Sequence, residues 1–167
     1  MPSNDPHISS RLTDSKDLPL FVKWLMQKDV LIGFPMCDRR EVEDAVSLWT
    51  TYIEKGVSLT ALYDGQPVGA ANLYIQEVEK LSHQALFVII VDEAYRGRGI
   101  GTFLLHEIQA LGKKRGVEIL HLEVYDKNPA VRLYEKLGFK KYGSHPHYLR
   151  DGEGNYYDKI FMQMLLT

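Results

Sequence analysis

The sequence predicts a mixed α/β fold, in which helices flank a central sheet that contains both parallel and antiparallel strands. The first observation is the composition, because 167 residues that are 45% hydrophobic and 25% charged are typical of one globular domain with a core. The second is Asp64-Gly65, a hairpin turn signal between two strand-like runs, which predicts antiparallel pairing. The third is the alternation of strand, helix, strand and helix in the second half, which implies a right-handed crossover and parallel pairing.

Two amphipathic helices are predicted before the sheet begins. The segments "SKDLPLFVKWLMQKDV" (residues 15–30) and "DRREVEDAVSLWTTYIEKG" (residues 38–56) both have apolar residues at helical spacing, and Gly56 would end the second helix. Cys37 lies between the two helices and is expected to be a small buried residue. The hydrophobic period then changes to that of strands, so residues 57–78 form the predicted hairpin.

The second half begins with a strand that is predicted to be buried on both faces. This is "HQALFVIIVD" (residues 83–92), which is apolar almost throughout. After a glycine-rich turn, the next helix directs Ile100 and Leu104 inward and ends near Gly116. The remaining predicted elements are a strand in residues 117–125, a helix in residues 129–138, a loop with His145 and His147, and strands near Lys140–Tyr142 and Tyr157–Leu166.

Charge and cysteine content exclude several classes of protein. The net charge is −2, so no basic excess indicates a nucleic-acid partner. The N-terminal stretch "MPSNDPHISS" lacks the basic and apolar regions of a signal peptide, and no apolar run is long enough to span a bilayer. With its single cysteine the chain cannot form an internal disulfide. We therefore expect a cytoplasmic protein with no membrane partner.

The stretch "YRGRGIG" (Tyr95–Gly101) joins the buried strand to the following helix. A glycine-rich turn at this place leaves backbone N–H groups free, and the helix dipole adds partial positive charge, so a phosphate group fits there. Arg96 and Arg98 add full charges and bidentate donors. The alternative interpretation is a tight turn that carries two solvated arginines.

Three phosphate-binding patterns compete for this stretch. The Walker A pattern is excluded, because no lysine precedes Thr102. The dinucleotide pattern G-x-G-x-x-G would start at Gly97 and Gly99, but Thr102 stands where its third glycine should be. The pattern Arg/Gln-x-x-Gly-x-Gly/Ala, the pyrophosphate loop of coenzyme A acetyltransferases, is satisfied by Arg96, Gly99 and Gly101.

Two segments resemble the GCN5-related N-acetyltransferase (GNAT) family: "VIIVDEAYRGRGIGTFLLHEIQALGKKRG" and "LHLEVYDKNPAVRLYEKLGF". The resemblance covers roughly residues 57–139 and, more loosely, the last strand; Glu93 departs from it, because many members have proline there. It implies a strongly twisted mixed sheet in which two parallel strands splay apart and acetyl-coenzyme A (acetyl-CoA) lies between them. It implies that the pantetheine arm pairs with the backbone of Ile89, Ile90 and Val91, and that the pyrophosphate is wrapped by Arg96, Gly97, Arg98, Gly99, Ile100, Gly101 and Thr102.

The resemblance also implies which groups transfer the acetyl group to an amine. Tyr134, in "LYEKLGF", matches the tyrosine near the coenzyme sulfur and would protonate the leaving thiolate, since a thiol has a pKa of about 8.5. Glu123, in "LEVY", matches the base that some protein N-terminal acetyltransferases carry in "LEVR"; a water chain is the alternative base. Taken alone, Tyr134 fits a core residue of an amphipathic helix and Glu123 fits an exposed strand carboxylate.

Asn128 resembles the family's asparagine that contacts the coenzyme arm, but its spacing differs. Five residues instead of six separate it from Tyr134, and Lys127 occupies the regular position. Either the turn is one residue tighter, or Asn128 only caps the helix that follows.

These expectations combine into one function, an N-acetyltransferase in which residues 1–167 form a single acyl-CoA N-acyltransferase domain. It would move the acetyl group of acetyl-CoA to a primary amine by direct transfer in a ternary complex, without a metal ion. The alternative is a catalytically silent module that binds acetyl-CoA as a sensor or partner. The sequence leaves open whether the acceptor is a peptide amine, lysine, polyamine, aminoglycoside or amino acid, and whether the protein is a homodimer.

Overall fold

The structure is a computed structural model that describes residues 4–166; Thr167 and the first three residues of the N-terminal stretch lie outside the described part. No helix within residues 4–166 is long and apolar enough to cross a membrane. The helices are α1 (Leu18–Leu25), α2 (Lys28–Leu31), α3 (Arg39–Ser47), α4 (Trp49–Glu54), α5 (Ile100–Lys114) and α6 (Ala130–Lys136). The strands are β1 (Ile8–Leu12), β2 (Ser58–Tyr63), β3 (Gln66–Ile75), β4 (Gln84–Val91), β5 (Ile119–Tyr125), β6 (Lys140–Arg150) and β7 (Tyr156–Leu165).

The strands form one mixed sheet in the order β1-β2-β3-β4-β5-β7-β6. Among the described strands, β4 and β5 run parallel and all other neighbours are antiparallel. Helix α5 makes the connection between β4 and β5, which is the crossover that the alternating pattern predicted. The predicted mixed sheet with flanking helices is therefore confirmed.

The two parallel strands splay apart, as the resemblance implied. Gln84–Leu86 of β4 pairs with Ile119–His121 of β5. Beyond this short ladder, β4 continues to Val91 and β5 continues to Tyr125 without pairing with each other. One edge of each strand is thus left open toward the gap between them.

Hydrophobic clusters cover both faces of the sheet. On one face, Leu104 and Ile108 of α5 are completely buried against the strands. On the other face, Phe21 and Trp24 of α1 pack together with Ile90 of β4. Since β4 contributes to both clusters, the prediction of a strand buried on both faces is confirmed.

The helical N-terminal region is more broken than the sequence predicted. The predicted helix of residues 38–56 is divided at Leu48 into α3 and α4. The break turns Trp49 into the core, where its indole N–H donates to Ser58 Oγ at 2.7 Å. Cys37 was predicted to be buried and is exposed, because it precedes α3 at the surface and its thiol bonds to Glu41.

Strand β1 was missed because "ISSRL" has no alternating pattern, and it is held by partners that are distant in sequence. It pairs with β2 from Ile8↔Tyr63 to Leu12↔Leu59. Next to this ladder, the Arg11 guanidinium donates at 2.7 and 2.9 Å to the buried carboxylate of Asp17.

Strand β6 is longer than predicted, so the loop assigned to His145 and His147 was wrong. The strand runs on to Arg150, with a bulge between His145 and Leu149 that contains Pro146. Proline is tolerated there because β6 is at the edge of the sheet, where an N–H that faces away from β7 has no strand to bond.

Candidate active site

A cavity of about 550 Å³ opens where β4 and β5 diverge. The open part of β4 lines it with Phe87–Val91, which includes the predicted residues Ile89, Ile90 and Val91. β5 lines it with Leu122, Glu123 and Val124. The turn before α5 and the first residues of α5 contribute Tyr95, Arg96, Gly97, Gly99, Ile100, Gly101 and Thr102.

The glycines of the turn have backbone geometry that other residues adopt only with strain. Gly97 and Gly99 have φ angles of 75° and 80°, in the left-handed region. Gly99 directly precedes the fifteen-residue helix α5, whose first-turn amides have no partner within the helix. Because these residues line the cavity, free N–H groups and the positive end of the α5 dipole lie at its wall.

The two arginines of the turn have different surroundings. Arg96 lines the cavity, and its guanidinium donates to the carbonyl oxygen of Asp29 at 3.0 Å. Arg98 is not among the cavity-lining residues; its guanidinium lies over the rings of Tyr63 and Tyr95, 5.1 and 5.2 Å from their centroids. Only Arg96 is therefore placed to contact a ligand in the cavity without a change of rotamer.

Residues 27–34, between α1 and α3, extend along the cavity from the β4 side to the start of α6, and the sequence analysis missed them. The Gln27 side chain donates a hydrogen bond of 2.9 Å to Asp92 Oδ1. Its Oε1 accepts a hydrogen bond from the backbone N–H of Glu93. At the other end, a Cβ on Gly33 would lie 3.4 Å from Asn128 Nδ2. No local pattern could reveal these contacts, since Gln27 and Asp92 are 65 positions apart.

Tyr134 lines the cavity from α6 with its ring held in an aromatic cluster. Its ring centroid lies 6.0 Å from that of Phe87 and 5.7 Å from that of Phe139. Burial raises the pKa of Tyr134 to about 12, so the hydroxyl is protonated at neutral pH and can act as a proton donor.

Glu123 projects from the face of β5 opposite to its buried neighbours Leu122 and Val124. Its side chain is 41% exposed, and its Oε2 accepts a hydrogen bond of 2.8 Å from Lys159 Nζ of β7. Sequence reasoning missed Lys159, because no spacing within "YYDKIF" relates it to a residue 36 positions earlier. The cavity therefore contains a protonated hydroxyl at Tyr134 and a carboxylate at Glu123.

Asn128 both lines the cavity and caps a helix. Its Oδ1 accepts a hydrogen bond of 2.9 Å from the backbone N–H of Ala130, at the start of α6. Lys127, which stands at the regular position of the family asparagine, has a φ angle of 68° and its Nζ lies 5.2 Å from the Tyr157 ring centroid. Asn128 therefore caps the start of α6, as one of the two interpretations predicted, and it also lines the cavity.

A small cluster away from this cavity has the spacing of metal ligands. Atoms of Cys37, Asp38 and Glu41 lie within 4.8 Å of one another, and Cys37 and Asp38 are exposed. All three already take part in the start of α3: Asp38 Oδ1 accepts from the Glu41 N–H at 2.8 Å, and Glu41 accepts from the Cys37 amide and thiol. Their arrangement is that of a helix cap.

Comparisons with known proteins identify a matching family, similar sequences and similar folds. The model of the acetyltransferase (GNAT) family matches residues 14–139. The L-amino acid N-acetyltransferase AaaT of Escherichia coli (strain K12) is 36% identical over 107 residues, which cover 62% of this chain and 65% of that protein. The [ribosomal protein bS18]-alanine N-acetyltransferase of Haemophilus influenzae is 32% identical over 113 residues, which cover 68% of this chain and 75% of that protein.

The chain spans just under two thirds of the length of AaaT, and 44% and 42% of the length of two other relatives. Among solved structures, yncA of Salmonella typhimurium with its cofactor acetyl-CoA has the same fold, with a TM-score of 0.81 over 96% of this chain and 95% of that chain. Its sequence is 19% identical, so this similarity concerns the fold alone.

Proposed function

This chain belongs to the acetyltransferase (GNAT) family, and on that premise we propose that it transfers the acetyl group of acetyl-CoA to an amine. The observation that carries the proposal is the cavity between β4 and β5, which combines free helix-start amides, Arg96 and a partly buried, protonated Tyr134. We further propose that residues 1–167 act as one acyl-CoA N-acyltransferase domain in the cytoplasm.

The proposed coenzyme site lies along β4 and the turn after it. The open edge of Ile89–Val91 would pair with the amides of the pantetheine arm, since no strand occupies that edge. The amides of residues 97–102 and the guanidinium of Arg96 would bind the pyrophosphate, because a helix N-terminus attracts anions. Arg98 would contribute at longer range, and the Asn128 amide would contact the coenzyme arm.

The proposed reaction is a direct transfer in a ternary complex. The amine nitrogen attacks the thioester carbonyl carbon, a C–N bond forms, and the C–S bond breaks. Tyr134 donates its hydroxyl proton to the departing sulfur, and the amine loses a proton to Glu123, directly or through water. The two groups suit these roles, because Tyr134 is protonated at neutral pH and Glu123 is a partly exposed carboxylate at the same cavity.

We propose that the acceptor carries an α-amine, as a free amino acid or at the N-terminus of a protein. The relatives support this class, since AaaT is named for L-amino acids and the Haemophilus influenzae relative is named for an alanine of bS18. An α-amino group has a pKa of about 7.7–8.0, against about 10.4 for lysine, so a larger share is neutral and nucleophilic at neutral pH.

The test is an acceptor screen with the purified protein and acetyl-CoA, in which release of free coenzyme A thiol is measured. The panel contains the L-amino acids, peptides that begin with alanine, an N-terminally blocked lysine peptide and spermidine. We expect thiol release that depends on an α-amine. Binding of acetyl-CoA without thiol release for any amine would support the silent module instead, and no binding would contradict both.

A further inference from the structure

The Glu123 carboxylate is one end of a chain of contacts that crosses three strands. Glu123 is on β5, its partner Lys159 is on β7, and Tyr148 is on β6. Lys159 Nζ lies 2.8 Å from Glu123 Oε2 and 3.7 Å from the centroid of the Tyr148 ring. The ammonium of Lys159 is thus held between a carboxylate and the face of an aromatic ring. Both groups attract a cation, and the attraction is stronger where the cation is desolvated.

Lys159 is the more buried member of the pair. Its side chain is 13% exposed, against 41% for Glu123, so the carboxylate is presented to the cavity and the ammonium lies behind it. Burial by itself would lower the pKa of Lys159, but its bonds to Glu123 and Tyr148 outweigh this and raise the pKa. Lys159 therefore remains a cation throughout the neutral range.

The position of Tyr148 depends on the bulge in β6. The ring stacks on Tyr125 at 6.3 Å and meets the edge of His145 at 5.1 Å. The bulge contains His147 with a φ angle of 52°, whose backbone N–H donates to Asp158 Oδ1 at 2.9 Å. A residue other than glycine that has a left-handed φ angle is strained. Such a conformation persists where the surrounding structure holds the residue in place, here through the bond to the Asp158 side chain.

Within the described residues, Lys159 is the cation among the titratable groups that face Glu123 from its own strand and from the neighbouring strands. The others are His121 and Tyr125 on β5 and Tyr142 on β6. Burial lowers the pKa of His121, and its Nε2 is buried without a partner, so this ring is neutral at neutral pH. The tyrosines are neutral as well, because burial raises the pKa of both.

We propose that Lys159 and Tyr148 form a clamp that positions the Glu123 carboxylate to accept the proton of the acceptor amine. This inference rests on the proposed function. Lys159 occupies one carboxylate oxygen and leaves the other for the amine or its water. Lys159 is then a positioning residue that acts through Glu123, and it takes no proton itself.

The first test is the steady-state kinetics of Lys159→Met, with acetyl-CoA and the panel amine that gives the highest rate. Without the clamp the carboxylate is free to turn away from the amine, so kcat should fall about tenfold, a fraction of the roughly 10²–10⁴-fold that a general base contributes. The KM for acetyl-CoA should stay unchanged, because Lys159 is not among the residues that line the cavity. Lys159→Arg should restore kcat, since arginine keeps the charge and stacks on aromatic rings.

The matched control is Lys127→Met, which removes a lysine that also lies over a tyrosine ring, 5.2 Å from the centroid of Tyr157. It should leave kcat unchanged. Tyr148→Leu, which loosens the clamp without removing a charge, should lower kcat as Lys159→Met does, and by less. An unchanged kcat in Lys159→Met, or an equal loss of kcat in Lys127→Met, overturns the clamp.

A second measurement needs no acceptor and separates failure of the clamp from failure of the proposed function. The protein is labelled with ¹³C at the glutamate carboxyl carbon, and Glu123→Gln identifies the resonance of Glu123. Its chemical shift at neutral pH should differ between Lys159→Met and the unmodified protein, because the carboxylate loses its contact with the ammonium, and it should be unchanged in Lys127→Met. Equal chemical shifts in Lys159→Met and the unmodified protein overturn the clamp, even if acetyl transfer is observed; a difference supports it, even if no amine in the panel is acetylated.

Discussion

The two walls of the cavity are built from different parts of the polypeptide. The β4 wall (residues 87–102) offers mainly backbone: an open strand edge, glycines with left-handed φ angles and the free amides of α5. The β5 wall (residues 122–124 with the side chains of β6 and β7 that hold them) offers side chains, above all Glu123 in contact with Lys159. Under the proposed function, the coenzyme would therefore be bound mainly by main-chain groups, whereas proton transfer from the acceptor would depend on side chains that strand pairing brings together.

The largest expected effect is on the backbone of the β4 wall. Gly99→Val places a β-branched residue at a φ angle of 80° on the cavity wall. The turn must then distort, and its backbone N–H groups no longer point into the cavity. Acetyl-CoA affinity, measured by calorimetry, should fall from about micromolar to about millimolar, roughly a thousandfold.

The control for this variant is Gly65→Val in the β2–β3 hairpin turn. Gly65 has a φ angle of 83°, and a Cβ there meets nothing within 4 Å, as at Gly99. The two variants therefore carry similar backbone strain, and only one of them is at the cavity. Equal acetyl-CoA affinities in folded Gly99→Val and Gly65→Val would show that the β4 wall does not bind through its backbone.

The next effect separates chemistry from binding. Tyr134→Phe keeps the ring between Phe87 and Phe139 and removes only the hydroxyl, so the expected result is a kcat that is roughly tenfold to a thousandfold lower with little change in acetyl-CoA affinity. The folded pKa of Tyr134, about 12, lies above its ordinary value, so the hydroxyl is protonated at all pH values below about 10. Below pH about 9, the rate should thus depend on pH in the same way in Tyr134→Phe and in the unmodified protein.

The control for Tyr134→Phe is Tyr52→Phe. Tyr52 is also a half-buried tyrosine whose pKa is raised by burial, and it lines a different cavity near α4. We expect its kcat to equal that of the unmodified protein. If Tyr134→Phe also retains full kcat, Tyr134 is a core residue and the thiolate leaves without its help.

The smallest effect distinguishes two neighbouring charges of the β4 wall. Arg96 lines the cavity, whereas Arg98 lies over Tyr63 and Tyr95. Arg96→Met should weaken acetyl-CoA binding about tenfold, the effect of one charge-assisted hydrogen bond, and Arg98→Met less than about threefold. The binding assay at two salt concentrations checks the ranking, since both effects are electrostatic. The opposite ranking would mean that Arg98 leaves the tyrosines and turns into the cavity when the coenzyme binds.

Much of the β4 wall was predictable from sequence. The period of "LFVIIV" predicts a strand buried on both faces, and the glycines of "YRGRGIG" predict the turn that precedes α5; both are observed. The positions of Tyr134 and Glu123 at one cavity followed from resemblance to the family, and composition could not have provided them.

The rest was decided by tertiary structure. Strand β7 inserts between β5 and β6, and this order brings Lys159 to Glu123 and Tyr148 to Lys159. Residues 27–34 extend along the cavity because Gln27 bonds to Asp92, far along the chain. The physical reason is the range of the forces: φ preferences and hydrophobic period are set within a few residues, whereas strand order and register emerge only when distant segments pack and bury their surfaces together.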